Sequence, residues 1–133
     1  MPIRPTDEQL KQFIEKVPPG PVTMLNLLKF KEKAVYAHGR ETNLSGAEAY
    51  GLYGFEMGKM IQADGGRSVF AAATNTLVIG DGELEWDMVA IAEYASLENF
   101  QKIMSSPEYQ EIEKHQEAGL SHQLLINVTP FQR

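Results

Sequence analysis

The chain has 133 residues and a mass of 14.9 kDa, which is the size of one domain, with the composition of an ordinary soluble protein. It contains no cysteine, which excludes disulfide scaffolds, thiolate zinc sites, iron–sulfur clusters and cysteine nucleophiles. A formal net charge of −6 argues against a nucleic-acid partner, and no apolar run approaches the roughly 18 residues of a membrane span, so we expect a cytoplasmic protein with neither partner.

The first twenty residues predict a helix and a proline-rich stop. Thr6 and Gln9 have the spacing of a capping box, in which each side chain binds an otherwise unpaired backbone N–H. Apolar residues then recur at helical spacing from Leu10 to Val17, and the proline-rich run that follows ends the helix. We therefore divide the chain into this helical segment, residues 1–20, and a single domain, residues 21–133.

The next two elements are a strand and a long helix. Residues 22–30 predict a strand that is covered on both sides, because the run VTMLNLLKF is apolar at both alternating positions. Ser45 and Glu48 then form a second capping box, and the helix that they open runs to about Ala63, before a pair of glycines.

The second half of the chain predicts a hairpin, an interrupted helix and a final strand. The hairpin strands are residues 67–79 and 86–94, which are rich in strand formers and are joined by Gly-Asp-Gly. Helices begin at Ser96 and again at Ser106-Pro107, and residues 123–129 form the last strand. This order is that of an α+β ferredoxin-like fold, a split βαβ unit with a four-stranded antiparallel sheet and helices on one face.

The predicted sheet has one more apolar face than its helices can cover. Met24, Leu28 and Phe30 lie on one face of the first strand, and Leu25 and Leu27 lie on the other. The most economical cover for the second face is a second copy of the same sheet. We therefore expect a homodimer, a dimeric α/β barrel in which two sheets face each other.

One basic cluster follows the first strand, whereas residues 81–117 are strongly acidic. The cluster is either a solvated strand end and loop, or a rim that steers anions or contacts the acidic segment of a second subunit. Its members are Lys29, Lys31, Lys33 and Arg40.

The long helix carries Gly51, Gly54 and Gly58 on one stripe. Each glycine costs about 1 kcal/mol relative to alanine inside a helix, so we expect the bare stripe to have a use. Either it lets the helix backbone approach the sheet, or it forms a wall of a ligand cavity beside Tyr53, which Gly54→Leu would then fill.

Two polar side chains lie on predicted strands. Asn26 interrupts an apolar strand, where its amide either bonds to neighbouring backbone or anchors a ligand in a pocket. Asp87 has the same parity as Val89 and Ile91, so it either acts as a general base or forms an ion pair with Arg67.

The three histidines do not form a recognisable metal-binding pattern. His115 lies four residues after Glu111, so the two form an exposed helix pair, or His115 acts as a base. His38 and His122 complete no set of three or four ligands, and haem would need His115 or His122 as its axial ligand. We therefore expect no metal and no bound cofactor.

Six short segments, spread over nearly the whole chain after residue 20, resemble one family in order and spacing. They are MLNLLKFK (24–31), AYGLY (49–53), GGR (65–67), EWD (85–87), EYAS (93–96) and SPEY (106–109). The family is the domain-of-unknown-function family 1330, within the dimeric α/β-barrel superfamily, and the resemblance is to its longer members. The chain departs from the family pattern at Ala95, where proline is usual, and at Gln116, where arginine is common. The resemblance implies the ferredoxin-like dimer but no established reaction, because the superfamily includes cofactor-free oxygenases, lactone isomerases and haem proteins.

Two functions from different classes remain open. The first is a cofactor-free enzyme of the isomerase or oxygenase type, which abstracts a proton from a small hydrophobic or aromatic metabolite. The second is a non-catalytic dimer that binds a small molecule or supports an assembly, and haem binding is a third alternative. The candidate residues are Asp87 and His115 as the base, Asn26 and Arg67 for a developing oxyanion, and Tyr53 and Trp86 as contacts to the substrate.

Overall fold

The computed structural model describes residues 3–131. In this range the polypeptide forms four helices and four strands, in the order that the sequence predicts. The elements are α1 (Asp7–Lys16), β1 (Val22–Phe30), α2 (Gly46–Ala63), β2 (Arg67–Ala73), β3 (Met88–Tyr94), α3 (Leu97–Met104), α4 (Pro107–Gly119) and β4 (Leu120–Val128).

The helices begin where the capping residues predict. In α1, the Gln9 N–H donates to Thr6 Oγ1 over 3.1 Å, and the Thr6 N–H donates to Gln9 Oε1 over 2.9 Å. The same reciprocal pair joins Ser45 and Glu48 at the start of α2. Serine also caps α3 and α4, and a proline occupies the first turn of α4. Both predicted capping boxes are confirmed.

The four strands form one open antiparallel sheet in the order β2-β3-β1-β4. The central strand β1 pairs with both β3 and β4, so the two halves of the chain meet along it. This is the α+β ferredoxin-like arrangement, and its prediction from the sequence is confirmed. The sheet does not close into a barrel within one chain.

The hairpin is shorter than the sequence predicts. Strand β2 ends at Ala73 rather than residue 79, and β3 begins at Met88 rather than residue 86. The reason lies in the neighbouring strand, since β3 pairs with β1 only from Met88 onward. Before that residue β2 and β3 would form an isolated two-stranded ribbon, which is marginal in water. Residues 74–87 instead form a long connection.

All four helices lie on one side of the sheet, which we call the covered face. Val22 and Leu28 of β1 are completely buried there, against side chains of α2, α3 and α4. Helix α1 joins this layer through an edge contact between the Phe13 and Phe100 rings, whose centroids are 5.6 Å apart. The N-terminal helix therefore does not cover the opposite side.

Two glycines permit the closest approach within the helical layer. A Cβ atom at Gly46 would overlap the Lys31 carbonyl oxygen, and one at Gly119 would overlap the Gly46 carbonyl oxygen. Helices α2 and α4 can therefore cross this closely only without side chains at these two positions.

The other side of the sheet, which we call the open face, is apolar and carries no helix among residues 3–131. The strand register aligns its side chains across all four strands, and Leu124 and Ile126 of β4 are each 44% exposed. The apolar members of the open face are Leu25, Leu27, Phe70, Val89, Ile91, Leu124, Ile126 and Val128.

Strand β4 has the reverse of the polarity expected for a monomer. Its side chains on the covered face are Gln123, Leu125 and Asn127, whereas Leu124 and Ile126 point to the open face. A half-exposed strand of a soluble monomer normally turns its apolar side chains inward and its polar ones outward. The outward apolar side chains of β4 therefore require a cover, and its inward polar side chains require hydrogen-bond partners.

Candidate functional site

Two adjoining cavities lie between α1 and the covered face of the sheet. The inner cavity, of about 380 Å³, extends between α3, α4 and the sheet, and the outer cavity, of about 470 Å³, lies beneath α1. They share one wall, formed in part by Met24, Phe100 and Gln123. The polar side chains that line the inner cavity are Arg4, Asn26, Tyr53, Tyr94, Gln101, Ser105, Tyr109, Glu113, Gln116 and Gln123.

Three tyrosines form the most distinctive part of the inner cavity. Burial raises the pKa of Tyr53, Tyr94 and Tyr109 above the ordinary value for a phenol. The Tyr109 hydroxyl donates to Gln116 Oε1 over 3.4 Å, and the Tyr53 ring meets the Tyr109 ring edge-on. At neutral pH the cavity therefore presents uncharged phenols, which can donate or accept hydrogen bonds.

Amide side chains from the sheet complete this polar surface. Asn26 Nδ2 donates to the Ala90 carbonyl oxygen over 3.2 Å, so the amide is anchored on β3 while it lines the inner cavity. Gln123 lines both cavities, and its Oε1 atom is buried without a hydrogen-bond partner among the described residues. An unpaired buried acceptor is costly, so Gln123 is a group that a bound donor would stabilise.

One edge of the inner cavity carries the charged residues of its lining, Arg4 and Glu113. The Arg4 guanidinium binds Glu113 at 2.8 Å and also Glu117, which joins the segment before α1 to α4. The Lys31 ammonium lies beside the same helix, 3.3 Å from the Glu117 carbonyl oxygen. Because Arg4 is already held by two carboxylates, an anionic ligand would have to displace them to pair with it, whereas an uncharged ligand would not.

The inner side of α1 contacts the core through Phe13, but much of it faces the cavities. No side chain of α1 is fully buried, and the apolar residues Leu10 and Ile14, which line the cavities, remain exposed at 41% and 40%. An engineered apolar cavity of about 150 Å³ binds benzene, so about 380 Å³ accommodates a molecule of one or two rings. The site can therefore hold a small aromatic molecule and hydrogen-bond its polar substituents.

Two of the six candidate residues, Asn26 and Tyr53, line the inner cavity. Asp87 lies instead at the end of β1, where Oδ2 accepts from the Phe30 N–H over 2.9 Å and Oδ1 binds Lys29 Nζ at 3.3 Å. Arg67 pairs with Glu93 at 3.3 Å, directly opposite it in the register. The expected ion pair between Arg67 and Asp87 is therefore wrong.

Trp86 and His115 also lie outside the cavities. The Trp86 ring meets the His122 ring edge-on, with centroids 5.2 Å apart. His115 Nδ1 is 2.7 Å from the Tyr36 hydroxyl, and burial, together with Lys114 and Arg40, lowers the pKa of His115.

The expected exposed pair of His115 and Glu111 is wrong, because Glu111 binds Lys114 at 2.6 Å and His115 is half-buried. Asp87 and His115 stay predictions as catalytic residues.

The glycine stripe of α2 serves neither purpose that the sequence suggested. A Cβ atom at Gly51 or Gly58 would meet nothing within 4 Å, and one at Gly54 would only touch the Tyr50 ring at 3.8 Å. No glycine of the stripe lines either cavity. Sequence spacing identified the bare surface but not the direction in which it faces.

The residues that sequence reasoning missed are mostly polar groups on buried surfaces. Tyr109 and Gln116 are seven residues apart, so they lie on the same inward face of α4, and Gln116 is only 6% exposed. A glutamine on the inner face of a helix is a signal that could have pointed to the site. Tyr94, Gln123 and the Arg4 ion pairs carry no comparable local signal.

Two properties of the described chain bear on its chemistry. Residues 3–131 contain no group of three or more histidine, aspartate or glutamate side chains that could hold a metal ion. Within the same range, none of the helices combines the length and the apolar character needed to span a bilayer.

Two solved structures of the RPA0582 protein resemble this chain closely. The methylated form of the RPA0582 protein is 37% identical, with a TM-score of 0.87 over 98% of this chain and 96% of that one. The RPA0582 protein of unknown function from Rhodopseudomonas palustris is also matched at 34% identity, with a TM-score of 0.86 over 98% of each chain.

More distant structures share the fold alone. A DABB family protein with a ferredoxin-like fold from Mesorhizobium loti is 10% identical, with a TM-score of 0.52 over 85% of this chain and 99% of that one. SnoaB, a cofactor-independent oxygenase from Streptomyces nogalater, is 15% identical, with a TM-score of 0.53 over 86% of this chain and 96% of that one.

The family assignment follows from the sequence match. No protein of curated function matches the chain. The family model for a domain of unknown function, DUF1330, matches residues 34–128, which is most of the sequence. With the close similarity to the Rhodopseudomonas palustris protein, this shows that the chain belongs to the DUF1330 family, and its fold is ferredoxin-like.

Proposed function

We propose that the protein is a homodimer that binds a small, uncharged aromatic molecule in the inner cavity of each subunit. The observation that carries the proposal is the lining of that cavity, where neutral phenols and side-chain amides face a volume of about 380 Å³. Pockets of this kind, mostly apolar with a few convergent polar groups, are typical of small-molecule sites.

The reversed polarity of β4 supports both parts of the proposal. Gln123 and Asn127 point inward, where Asn127 Nδ2 binds the Thr23 carbonyl oxygen and Gln123 Oε1 has no partner among the described residues. Leu124 and Ile126 point outward, onto an apolar face that residues 3–131 leave uncovered. A ligand would supply the inner partner, and a second sheet would supply the outer cover.

The charges favour an uncharged ligand. Inside the cavity the tyrosines are neutral, and the Arg4 cation at its edge is already paired with Glu113 and Glu117. A carboxylate or phosphate would find no unpaired cation in this lining, whereas a ketone, phenol or amide would gain hydrogen bonds from the phenols.

Binding is a better account of this lining than proton abstraction. Within the described range no histidine lines either cavity, and the carboxylate at the inner cavity, Glu113, is held by Arg4. The predicted bases, Asp87 and His115, are bound to Lys29 and Tyr36 elsewhere in the molecule. Haem would likewise find no histidine ligand in these cavity walls.

Methyl NMR of methionine tests the site with simple aromatic probes. Met24 and Met104 line the inner cavity, whereas Met57 packs in the core outside it. With phenol, acetophenone and 1-naphthol as probes, we expect the Met24 and Met104 methyl resonances to shift most. Benzoate, which has the size of these probes and a negative charge, should bind more weakly.

A matched pair of variants separates specific binding from general loosening. Tyr53→Phe removes a hydroxyl from the cavity and should weaken the binding of the best probe about tenfold, as expected for a lost hydrogen bond of about 1.4 kcal/mol. Tyr36→Phe removes a buried hydroxyl outside the cavity and should leave the affinity unchanged. Shifts that spread evenly over all methionines, or equal effects of the two variants, would contradict the proposal.

A further inference from the structure

The connection between β2 and β3, residues 74–87, which we call the arm, exposes apolar side chains at its tip. Val78 is 84% exposed and Ile79 is 91% exposed, and they stand next to each other. The inner cavity does not involve them. A pair of bare aliphatic side chains at the end of a projecting connection is typical of a surface that meets another molecule.

The base of the arm is held by hydrogen bonds across its two ends. At its base, the Thr74 N–H donates to the Asp87 carbonyl oxygen over 3.0 Å, and Thr74 Oγ1 donates to the Trp86 carbonyl oxygen over 2.5 Å. At its tip, Gly80 and Gly82 have positive φ angles of 149° and 75°, which other residues rarely adopt. The chain therefore bends back at its tip through two glycines in conformations that suit glycine.

The base of the arm lies on the open face of the sheet. Asp87 binds Lys29, and Trp86 packs against His122, and both Lys29 and His122 belong to the open-face register. His122 Nε2 is buried there without a hydrogen-bond partner among residues 3–131. The arm therefore starts from the same side of the sheet that the proposed homodimer would bury. A neighbouring molecule could supply the hydrogen bond that His122 Nε2 lacks.

The charge of the arm complements another surface of the same chain. Asp81, Glu83 and Glu85 are the charged residues near its tip, and the arm contains no basic residue. The loop after β1 carries exposed Lys33 and Arg40 beside exposed Glu32 and Glu41, so its positive charge is local to these two basic side chains. It also exposes Val35, which gives an apolar counterpart to the tip.

The two surfaces lie at the same end of the sheet. The loop leaves the end of β1, and the arm enters the start of β3, which runs antiparallel to β1. The loop packs against α2 and α4 on the covered side. A two-fold axis roughly parallel to the strands would bring this end of the two copies together, so that the arm of one copy extends past the partner's sheet toward the partner's loop, twice in each dimer.

We propose that the arm docks on a second copy of this chain, with its tip against the partner's Val35 and its acidic side facing the partner's Lys33 and the partner's Arg40. This inference rests on the proposed homodimer and adds to it a contact outside the sheet. The occupant is a second copy because both the apolar and the charged parts of the arm find complements on the chain itself.

The test compares dimer strength in arm variants with that in a matched control. Val78→Ser with Ile79→Ser should weaken dimerisation at least tenfold, measured as the dissociation constant or, for a dimer too tight to dilute apart, as the rate of subunit exchange. Phe55→Ser removes another well-exposed apolar side chain, from the outer surface of α2, and should change neither the dissociation constant nor the exchange rate.

A charge exchange tests the pairing of the two surfaces. Glu83→Lys with Glu85→Lys should weaken the dimer, and Lys33→Glu with Arg40→Glu in the same chain should restore it, with both effects reduced by salt. A monomeric wild type would overturn the homodimer and the arm contact together. A dimeric wild type whose strength is unchanged by the serine variants, or not restored by the charge exchange, would overturn the arm contact alone.

Discussion

The two faces of the sheet use similar side chains for different purposes. On the covered face, Val22 and Leu28 of β1 are completely buried under the helices. On the open face, Leu25 and Leu27 of the same strand are only half-buried, although they are just as apolar. Apolar character therefore determines which surfaces must be covered, and the helices determine which one is covered within the chain.

Strand β4 makes the difference between the faces sharper. The covered face receives Gln123 and Asn127, beside a cavity, whereas the open face receives Leu124 and Ile126. The face inside the subunit is thus the more polar one at this strand. This arrangement suits a protein that binds a ligand under its helices and a second copy of itself through its sheet.

The largest expected effect comes from a charge on the open face. Ile126→Asp would bury a carboxylate in each half of the dimer interface, so dimerisation should weaken about a hundredfold or more. Light scattering coupled to size-exclusion chromatography measures this change, and Phe55→Asp on the outer surface of α2 is the control. A variant that stays dimeric would show that the open face is not the interface.

A pair of leucines in β1 compares the two faces directly. In the monomeric Ile126→Asp background, Leu28→Ala should lower the free energy of unfolding by about 2–5 kcal/mol, because it leaves a cavity in the packed core. Leu27→Ala should lower it by less than about 1 kcal/mol, since its side chain is already half-exposed. Urea unfolding measures both, and equal losses would mean that the open face is packed within the monomer.

Alkaline pH tests the buried phenols of the covered face. Burial holds the pKa of Tyr53, Tyr94 and Tyr50 above the ordinary phenol value of 10.0, so the folded state retains protons that the unfolded state releases. Stability should be insensitive to these groups below about pH 10 and fall above it, by about 1.4 kcal/mol per phenol and pH unit.

The Tyr94→Phe variant should make the fall of the unfolding free energy with pH less steep by about 1.4 kcal/mol per pH unit, which is the contribution of one proton. Urea titrations between about pH 9 and pH 11 provide the measurement. A slope that is the same in wild type and variant would indicate that Tyr94 ionises freely in the folded protein.

The smallest effect concerns the outer surface of α2, which belongs to neither face. Gly51→Ala should stabilise the protein by up to about 1 kcal/mol, because a Cβ atom there meets nothing within 4 Å. Gly119→Ala, where the Cβ atom would overlap the Gly46 carbonyl oxygen, should destabilise it strongly. If Gly51→Ala destabilises the assembled protein, the glycine stripe contacts another molecule.

The sequence predicts the fold well because its strongest signals are local. Capping residues and prolines mark the helix ends, and alternating or continuous apolar runs mark the strands. It fails at residues 74–79 for a reason that is not local. Whether Leu77, Val78 and Ile79 can extend a strand depends on β1, which ends too early to support them.

The site is less predictable because it depends on register and on parity. Asn26 stands out as a polar residue in an apolar strand, and it does line the cavity. Gln123 gives no such signal, since the run QLLINV does not reveal which alternate residues face inward. The partner of Arg67 likewise depends on how β2 pairs with β3, and that pairing places Glu93 opposite it.

Sedimentation equilibrium of the unmodified protein at micromolar concentration tests the central claim most directly, that the open face is covered by a second copy. We expect a single species with twice the chain mass of 14.9 kDa. A single species of 14.9 kDa would contradict the account and leave the outward apolar side chains of β4 without an explanation.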